Sequence, residues 1–314
     1  MTARTVITIM VNRFNKILSR YLLEVSGFSV GGFLNEIIKV GVTACSNGLS
    51  TSCRETVEKL TGVLSELSLE PVLSEYIFAE NSVFQGTGKE SAKALMEFYA
   101  DDEVKAIFDI SGGDIANEII SYLDFDFIGK TDKKFWGYSD LTTIINALYT
   151  KAGKTSVLYQ VRNLVYAPDI QIQRLSDYLR NGGNSLFDFP YEFVQGESME
   201  GIVVGGNIRC FLKLAGTDCF PDLNSKILLL ESLGGYTLQI VTYLSQLRML
   251  GAFEKVNGVL LGTFTKMEEE SGTESIVKLV REYAGEIPVA KTQFVGHGTD
   301  SFAVEIGKRY VFHK

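Results

Sequence analysis

The stretch Lys39–Leu67, KVGVTACSNGLSTSCRETVEKLTGVLSEL, decides the fold class. Lys39 to Ala44 is a short apolar run of the kind a buried strand needs, and Cys45 to Ser52 is a Ser/Asn/Gly loop. Arg54 to Leu67 then puts Val57, Leu60, Leu64 and Leu67 on one side of a helix. The same alternation repeats downstream. Pro71–Ile77 reads as a strand and Gly86–Ala100 as a helix with Ala92, Ala94, Leu95 and Phe98 apolar. Lys105–Ile110 is a strand running into Ser111-Gly112-Gly113, and Ala116–Leu123 returns as helix. Lys134–Gly137 is a short strand and Leu141–Tyr149 the next helix. Strands alternating with helices predict a parallel sheet whose ligands gather at the carboxyl ends of its strands.

Beyond about residue 155 the pattern changes. Ser156–Tyr166 is strand-like, Ile170–Asn181 helical, and Gly182–Gly206 reads as turn-rich, followed by Ile208–Leu214. Lys226–Leu230 (KILLL) is a strongly apolar strand, Tyr236–Leu250 a helix, and Val256–Thr263 and Ile287–Ala290 are strands around a helix at Glu274–Tyr283. The change predicts a domain boundary within residues 152–168. It divides the chain into an extension, 1–38, a first domain, 39–160, and a second, 161–314.

The chain's 314 residues suit two such domains, and 46% hydrophobic content with five prolines excludes disorder. A net charge of −8 argues against nucleic acid as a main partner, since phosphate binding needs a basic surface. Two histidines, His297 and His313, exclude a zinc site built on several imidazoles, and no metal or cofactor is expected. Cys45, Cys53, Cys210 and Cys219 lack metal-ligand spacing and read as buried reduced thiols, which suits the cytoplasm. There is no apolar run of transmembrane length. Near the start, Val11, Phe14, Ile17, Leu18, Tyr21, Leu22 and Val25 share one helical face. That segment reads as a packed helix or appended extension in preference to a peripheral membrane anchor. Asn12 and Arg13 interrupt the apolar stretch before any cleavage site, which argues against a secretory signal.

Three places can carry chemistry. In Trp136-Gly137-Tyr138-Ser139-Asp140 a strand ends in a serine just before a helix, the logic of a nucleophile elbow. The same serine also reads as an ordinary helix N-cap. In Gly296-His297-Gly298 an imidazole sits in an open loop, suited to proton transfer or simply a loop histidine. Glu231 follows the apolar strand Lys226–Leu230, where a carboxylate either orients a histidine or favours the start of the next helix. Together they supply the parts of a Ser–His–Glu triad.

On those residues the sequence resembles the LD-carboxypeptidase family of serine peptidases, which includes muropeptide LD-carboxypeptidases and microcin C immunity peptidases. The resemblance runs from about Ile37 to Phe312. It is carried by Gly112-Gly113, Gly137-Tyr138-Ser139-Asp140, Gly205-Gly206-Asn207 ahead of Ala215-Gly216-Thr217, Lys226–Glu231, Gly258–Phe264 and Gly296-His297-Gly298. It implies an α/β fold with an N-terminal parallel-sheet, flavodoxin-like domain and a smaller C-terminal α/β swivelling-type domain. The active site would lie in the interdomain cleft of a homodimer. It further implies Ser139 as nucleophile, His297 as general base and Glu231 as its orienting acid. Oxyanion donors would come from Asp140 and the Gly112-Gly113 loop. The family's glycine loop often reads Arg-Gly-Gly-Tyr-Gly where this chain has Ser111-Gly112-Gly113-Asp114-Ile115, and Ser232 stands where Asp is common. The implied activity is release of terminal D-alanine from peptidoglycan tetrapeptides. The alternatives are cleavage of aminoacyl–nucleotide conjugates and a catalytically silent ligand-binding protein.

Overall fold

The computed structural model describes residues 37–79 and 86–314. The amphipathic stretch read at residues 11–25 lies outside them. The first sheet is built from β1 (Ile38–Thr43), β2 (Leu69–Leu73), β3 (Val104–Asp109), β4 (Lys134–Gly137) and β5 (Ser156–Leu158). The second contains β6 (Glu192–Gln195), β7 (Ser198–Asn207), β8 (Lys226–Ser232), β9 (Gly258–Phe264) and β10 (Val289–Lys291). Two last strands, β11 (Val304–Ile306) and β12 (Arg309–His313), complete one sheet each.

The first sheet runs β11-β5-β4-β3-β1-β2, with β1 to β5 parallel and β11 antiparallel on its edge. Strand order reverses between β1 and β3, so the loops after these two strands face each other across a topological switch point. The second sheet runs β12-β7-β8-β9-β10-β6, with β7 to β10 parallel and antiparallel strands on both edges. The α/β two-domain expectation is met.

The helix Thr142–Ala152 is central. Residues Thr142 to Leu148 are all buried, so it is enclosed rather than packed by one face. One apolar cluster joins its Ile144 and Leu148 to Leu158 of the first sheet and to Val203, Ile227 and Leu229 of the second. Phe302, Val304 and Ile306, from the end of the chain, belong to the same cluster. The helices Asn163–Tyr166 and Pro168–Asn181 contribute Leu164, Leu175 and Leu179 to the core beneath β1, with Val40, Val42 and Trp136.

Three local expectations need correction. The strand expected over Ser156–Tyr166 stops at Leu158. Tyr159 N–H makes a last bond to Gly137 O, after which Asn163 N–H and Leu164 N–H close turns on Gln160 and Val161. Gly182–Gly206, read as turn-rich, contains β6 and the ten-residue β7. The glycines of β7 mark close approach instead of turns: at Gly205 (φ 102°) a Cβ would lie 2.3 Å from Leu229 O on β8. Ala116–Tyr122 is helical, but wound as a 3-10 helix.

Candidate active site

β4 ends at Gly137, Tyr138 remains extended, and Ser139 turns the chain with a left-handed φ of 56°. A 3-10 turn, Ser139–Leu141, leads directly into the enclosed helix. A non-glycine residue in this region costs about 1–2 kcal/mol, and such strain persists where the surroundings over-determine it. Ser139 is not the N-cap: that position is Leu141, and no side chain caps the helix start. The Ser139 hydroxyl lies instead 3.0 Å from His297 Nε2.

His297 Nδ1 is 2.8 Å from Glu231 Oε2. The pattern requires the tautomer in which Nδ1–H donates to the carboxylate and Nε2 accepts from the serine. Glu231 is wholly buried and, instead of following the strand, lies within it one residue before its end, because β8 runs on to Ser232. Its Oε2 also accepts from Tyr138 O–H at 3.1 Å, and the Tyr138 ring stands edge-on to His297 with centroids 4.9 Å apart. Burial, reinforced by Glu231, pushes the Tyr138 phenol well above its ordinary range, so it stays a donor. In the sequence Tyr138 stands out only as part of the Gly137–Asp140 motif, because an aromatic side chain at a strand end looks like core.

The loop that carries His297 is held from within and from outside. Within the loop, Ser301 Oγ lies 2.7 Å from both Gly296 O and Gly298 O and shares its single proton between them, and two side chains hold the loop from outside. Asn163 Nδ2 reaches Gly298 O, and Gln171 Nε2 donates to Thr299 O and Ser301 O. Asn163 and Gln171 come from the helices after β5, which pack on the first sheet, so the imidazole is registered against the sheet whose β4 presents the serine.

Asp140 has a wholly buried carboxylate that sequence reasoning did not foresee as a hub. It accepts from Ser46 Oγ at 2.7 Å and from Ala116 N–H at 2.8 Å, and it pairs with Lys213. The glycine loop is thereby tied to the residue after Ser139. Asn47 Oδ1 accepts from Asp114 N–H, and Arg209 donates to Gly113 O and pairs with Asp114. Gly113 itself has φ 136°, and a Cβ there would lie 2.2 Å from the Asn47 side chain. Beneath this loop Asp109 accepts from Cys45 N–H, Ser111 N–H and Ser111 Oγ, and burial raises its carboxyl above the usual range.

The buried cysteines offer no competing nucleophile, and Cys53, expected to be buried with them, is only partly so. Burial pushes the Cys45 and Cys210 thiols up, which suppresses the reactive thiolate, and all four cysteines are unpaired with one another. Among the described residues no three His, Cys, Asp or Glu side chains form a metal-binding group, and no helix is long and apolar enough to cross a membrane.

Two interlocked α/β domains, with a strained serine hydrogen-bonded through histidine to a buried glutamate, define a class of hydrolase-like proteins. The family model of the LD-carboxypeptidase N-terminal domain matches residues 40–159, and that of the C-terminal domain matches residues 200–311. The chain belongs to the LD-carboxypeptidase family of peptidases. A probable murein peptide carboxypeptidase of Bacillus subtilis (strain 168) is 29% identical over 262 residues, covering 78% of this chain and 80% of that protein. A solved MccF-like protein from Bacillus anthracis str. Ames superposes with TM-score 0.73 at 26% identity, over 89% of this chain and 94% of its own. A muramoyltetrapeptide carboxypeptidase from Oxalobacter formigenes shares the fold with TM-score 0.73 at 21% identity, over 88% and 95% of the two chains.

Proposed function

We propose that this chain is a serine-type LD-carboxypeptidase that releases terminal D-alanine from tetrapeptides derived from peptidoglycan. The observation that carries the reading is the bonded series Ser139–His297–Glu231 beginning at a serine with φ 56°. Ser139 Oγ attacks the carbonyl carbon of the L,D bond while His297 Nε2 takes its proton. Glu231 stabilises the imidazolium through Nδ1–H. The oxyanion is met by backbone amides of Asp140 and the Gly112-Gly113 loop, in a turn where helix geometry leaves amides free to donate. His297 then gives its proton to the nitrogen of departing D-alanine. Water, deprotonated by His297, attacks the acyl-serine, and the tripeptide leaves as the proton returns to Ser139.

In this reading residues 39–160 supply the nucleophile and residues 161–314 the acid and base, in a cytoplasmic homodimer. The murein and muramoyltetrapeptide names of two relatives support the substrate class. A second reading, cleavage of an aminoacyl–nucleotide conjugate, is favoured by the 26% identity to the MccF-like protein. Against it, residues 181–206 include no tryptophan to stack on a base.

The test offers the purified protein a disaccharide tetrapeptide and, separately, an aminoacyl sulfamoyl adenosine, with products weighed by mass spectrometry. Tripeptide plus D-alanine is expected from the first. Exclusive cleavage of the second selects the conjugate reading, and cleavage of neither at any pH from about 6 to 9 favours a silent binding protein. Ser139→Ala is expected to lower kcat at least about a thousandfold while leaving the fold intact.

A further inference from the structure

We propose that Tyr138 is a positioning residue: its hydroxyl holds Glu231 in place as the acceptor for His297 and tempers the negative charge that His297 meets. The inference rests on the reading in which Ser139, His297 and Glu231 carry out the reaction.

The residue precedes the serine in the chain, yet it touches the opposite end of the series. Ser139 Oγ meets His297 Nε2, His297 Nδ1 meets Glu231 Oε2, and that same oxygen accepts from Tyr138 O–H at 3.1 Å. The Tyr138–Ser139 peptide bond closes the circuit. Glu231 is thus fastened both to its own strand, β8, and to the elbow of β4 that presents the nucleophile. Any relative shift of the two sheets strains the Tyr138 bond as well as the histidine bonds.

The phenol is one of two donors to a carboxylate that is wholly buried, since Glu231 Oε1 has no partner among the described residues. A buried carboxylate with few donors keeps its charge concentrated, and each donor matters more than it would in water. The Tyr138 side chain is itself buried and lies edge-on to the imidazole, so it restricts ring rotation without standing in the substrate's path. Without the hydroxyl, Glu231 presents more negative charge to His297 and is held less firmly. The protonated imidazole is then favoured at rest, and the geometry for taking the serine proton loosens.

Tyr138→Phe keeps the ring and removes the hydroxyl. The expected result is a kcat lowered about tenfold to a hundredfold with KM within about twofold, and an acid limb of the kcat/KM profile moved to higher pH. With only two histidines in the chain, imidazole proton NMR reads the same effect without substrate. The His297 ring titration should move to higher pH in Tyr138→Phe while His313 serves as an internal control. 3-Fluorotyrosine at position 138, a stronger donor of nearly the same shape, should move both readouts the opposite way. This second substitution keeps the test valid if the phenylalanine variant folds poorly. Unchanged profiles and titrations in both substitutions overturn the proposal. Ser139→Ala assayed in parallel separates the two failures. An inactive Ser139→Ala beside an unaltered Tyr138→Phe sinks the role of Tyr138 alone, whereas an active Ser139→Ala sinks the functional reading and this inference with it.

Discussion

At Ser139 the backbone itself is under load. An L-residue at φ 56° is disfavoured, and the usual preference for alanine over glycine should therefore reverse at this position. Ser139→Gly is expected to be more stable than Ser139→Ala by about 1 kcal/mol, as measured by urea unfolding of the two inactive variants. Equal stability, or the reverse order, would show that the turn carries no strain. Ser139, His297 and Glu231 were legible in the chain because each sits in a short local context: strand-to-helix junction, glycine-flanked loop, end of an apolar strand. Tyr138 and the Asp140 carboxylate were not. Their partners, Glu231, Ser46, Ala116 and Lys213, lie between 24 and 94 positions away, and nothing local marks a side chain as the meeting point of distant loops.

Among the elements, the joint between the Thr142–Ala152 helix and β7 matters most to the site. Asn146 bonds both backbone groups of Gly205, donating to its O and accepting from its N–H, each at 2.9 Å. Thr142 Oγ1 accepts from Asn207 N–H at 3.0 Å. The helix behind the nucleophile is therefore stitched to the strand beside Glu231's own. Asn146→Ala leaves a buried N–H and a buried carbonyl short of partners, which costs about 2–4 kcal/mol. A lower thermal midpoint with a fall in activity is the expected outcome. A midpoint within a degree or so of wild type would mean that the joint is incidental. The helix was visible from the apolar spacing of Leu141, Ile144, Ile145 and Leu148. Its enclosure was not, because Thr142, Thr143 and Asn146 on its other sides look like a solvated face until β7 and the Ile208–Phe211 helix bond to them.

For the molecule as a whole, the end of the chain binds the two halves together. β11 pairs with β5 in the first sheet and β12 with β7 in the second, only two residues apart. Glu305 on β11 is largely buried, which by itself would raise its carboxyl. Lys134 at 2.5 Å, helped by Lys308 and Thr155, outweighs this and holds it below the ordinary 4.5. With its folded value depressed, the folded state binds fewer protons here than the unfolded chain does. The contribution is present above about pH 4.5 and is lost as pH falls through the folded value. Wild type should thus be more stable than Glu305→Gln near neutrality, and the gap should narrow as pH drops below about 4.5. Urea midpoints at both ends of that range measure it, and a constant gap would rule out the linkage.

Composition and the spacing within single elements are enough for the α/β class, the alternation of the first sheet and the absence of a histidine-rich metal site. They mark Ser139, His297 and Glu231 only as candidates, and it is the family resemblance that joins the three into the proposed triad. Long-range packing settles that Ser139 accepts a positive φ instead of capping a helix, and that glycine-rich 198–207 is a strand. It also settles that Tyr138 and Asp140 tie the elbow to its surroundings. Those outcomes depend on close approaches between segments far apart in the chain, whose contact energies no local pattern records.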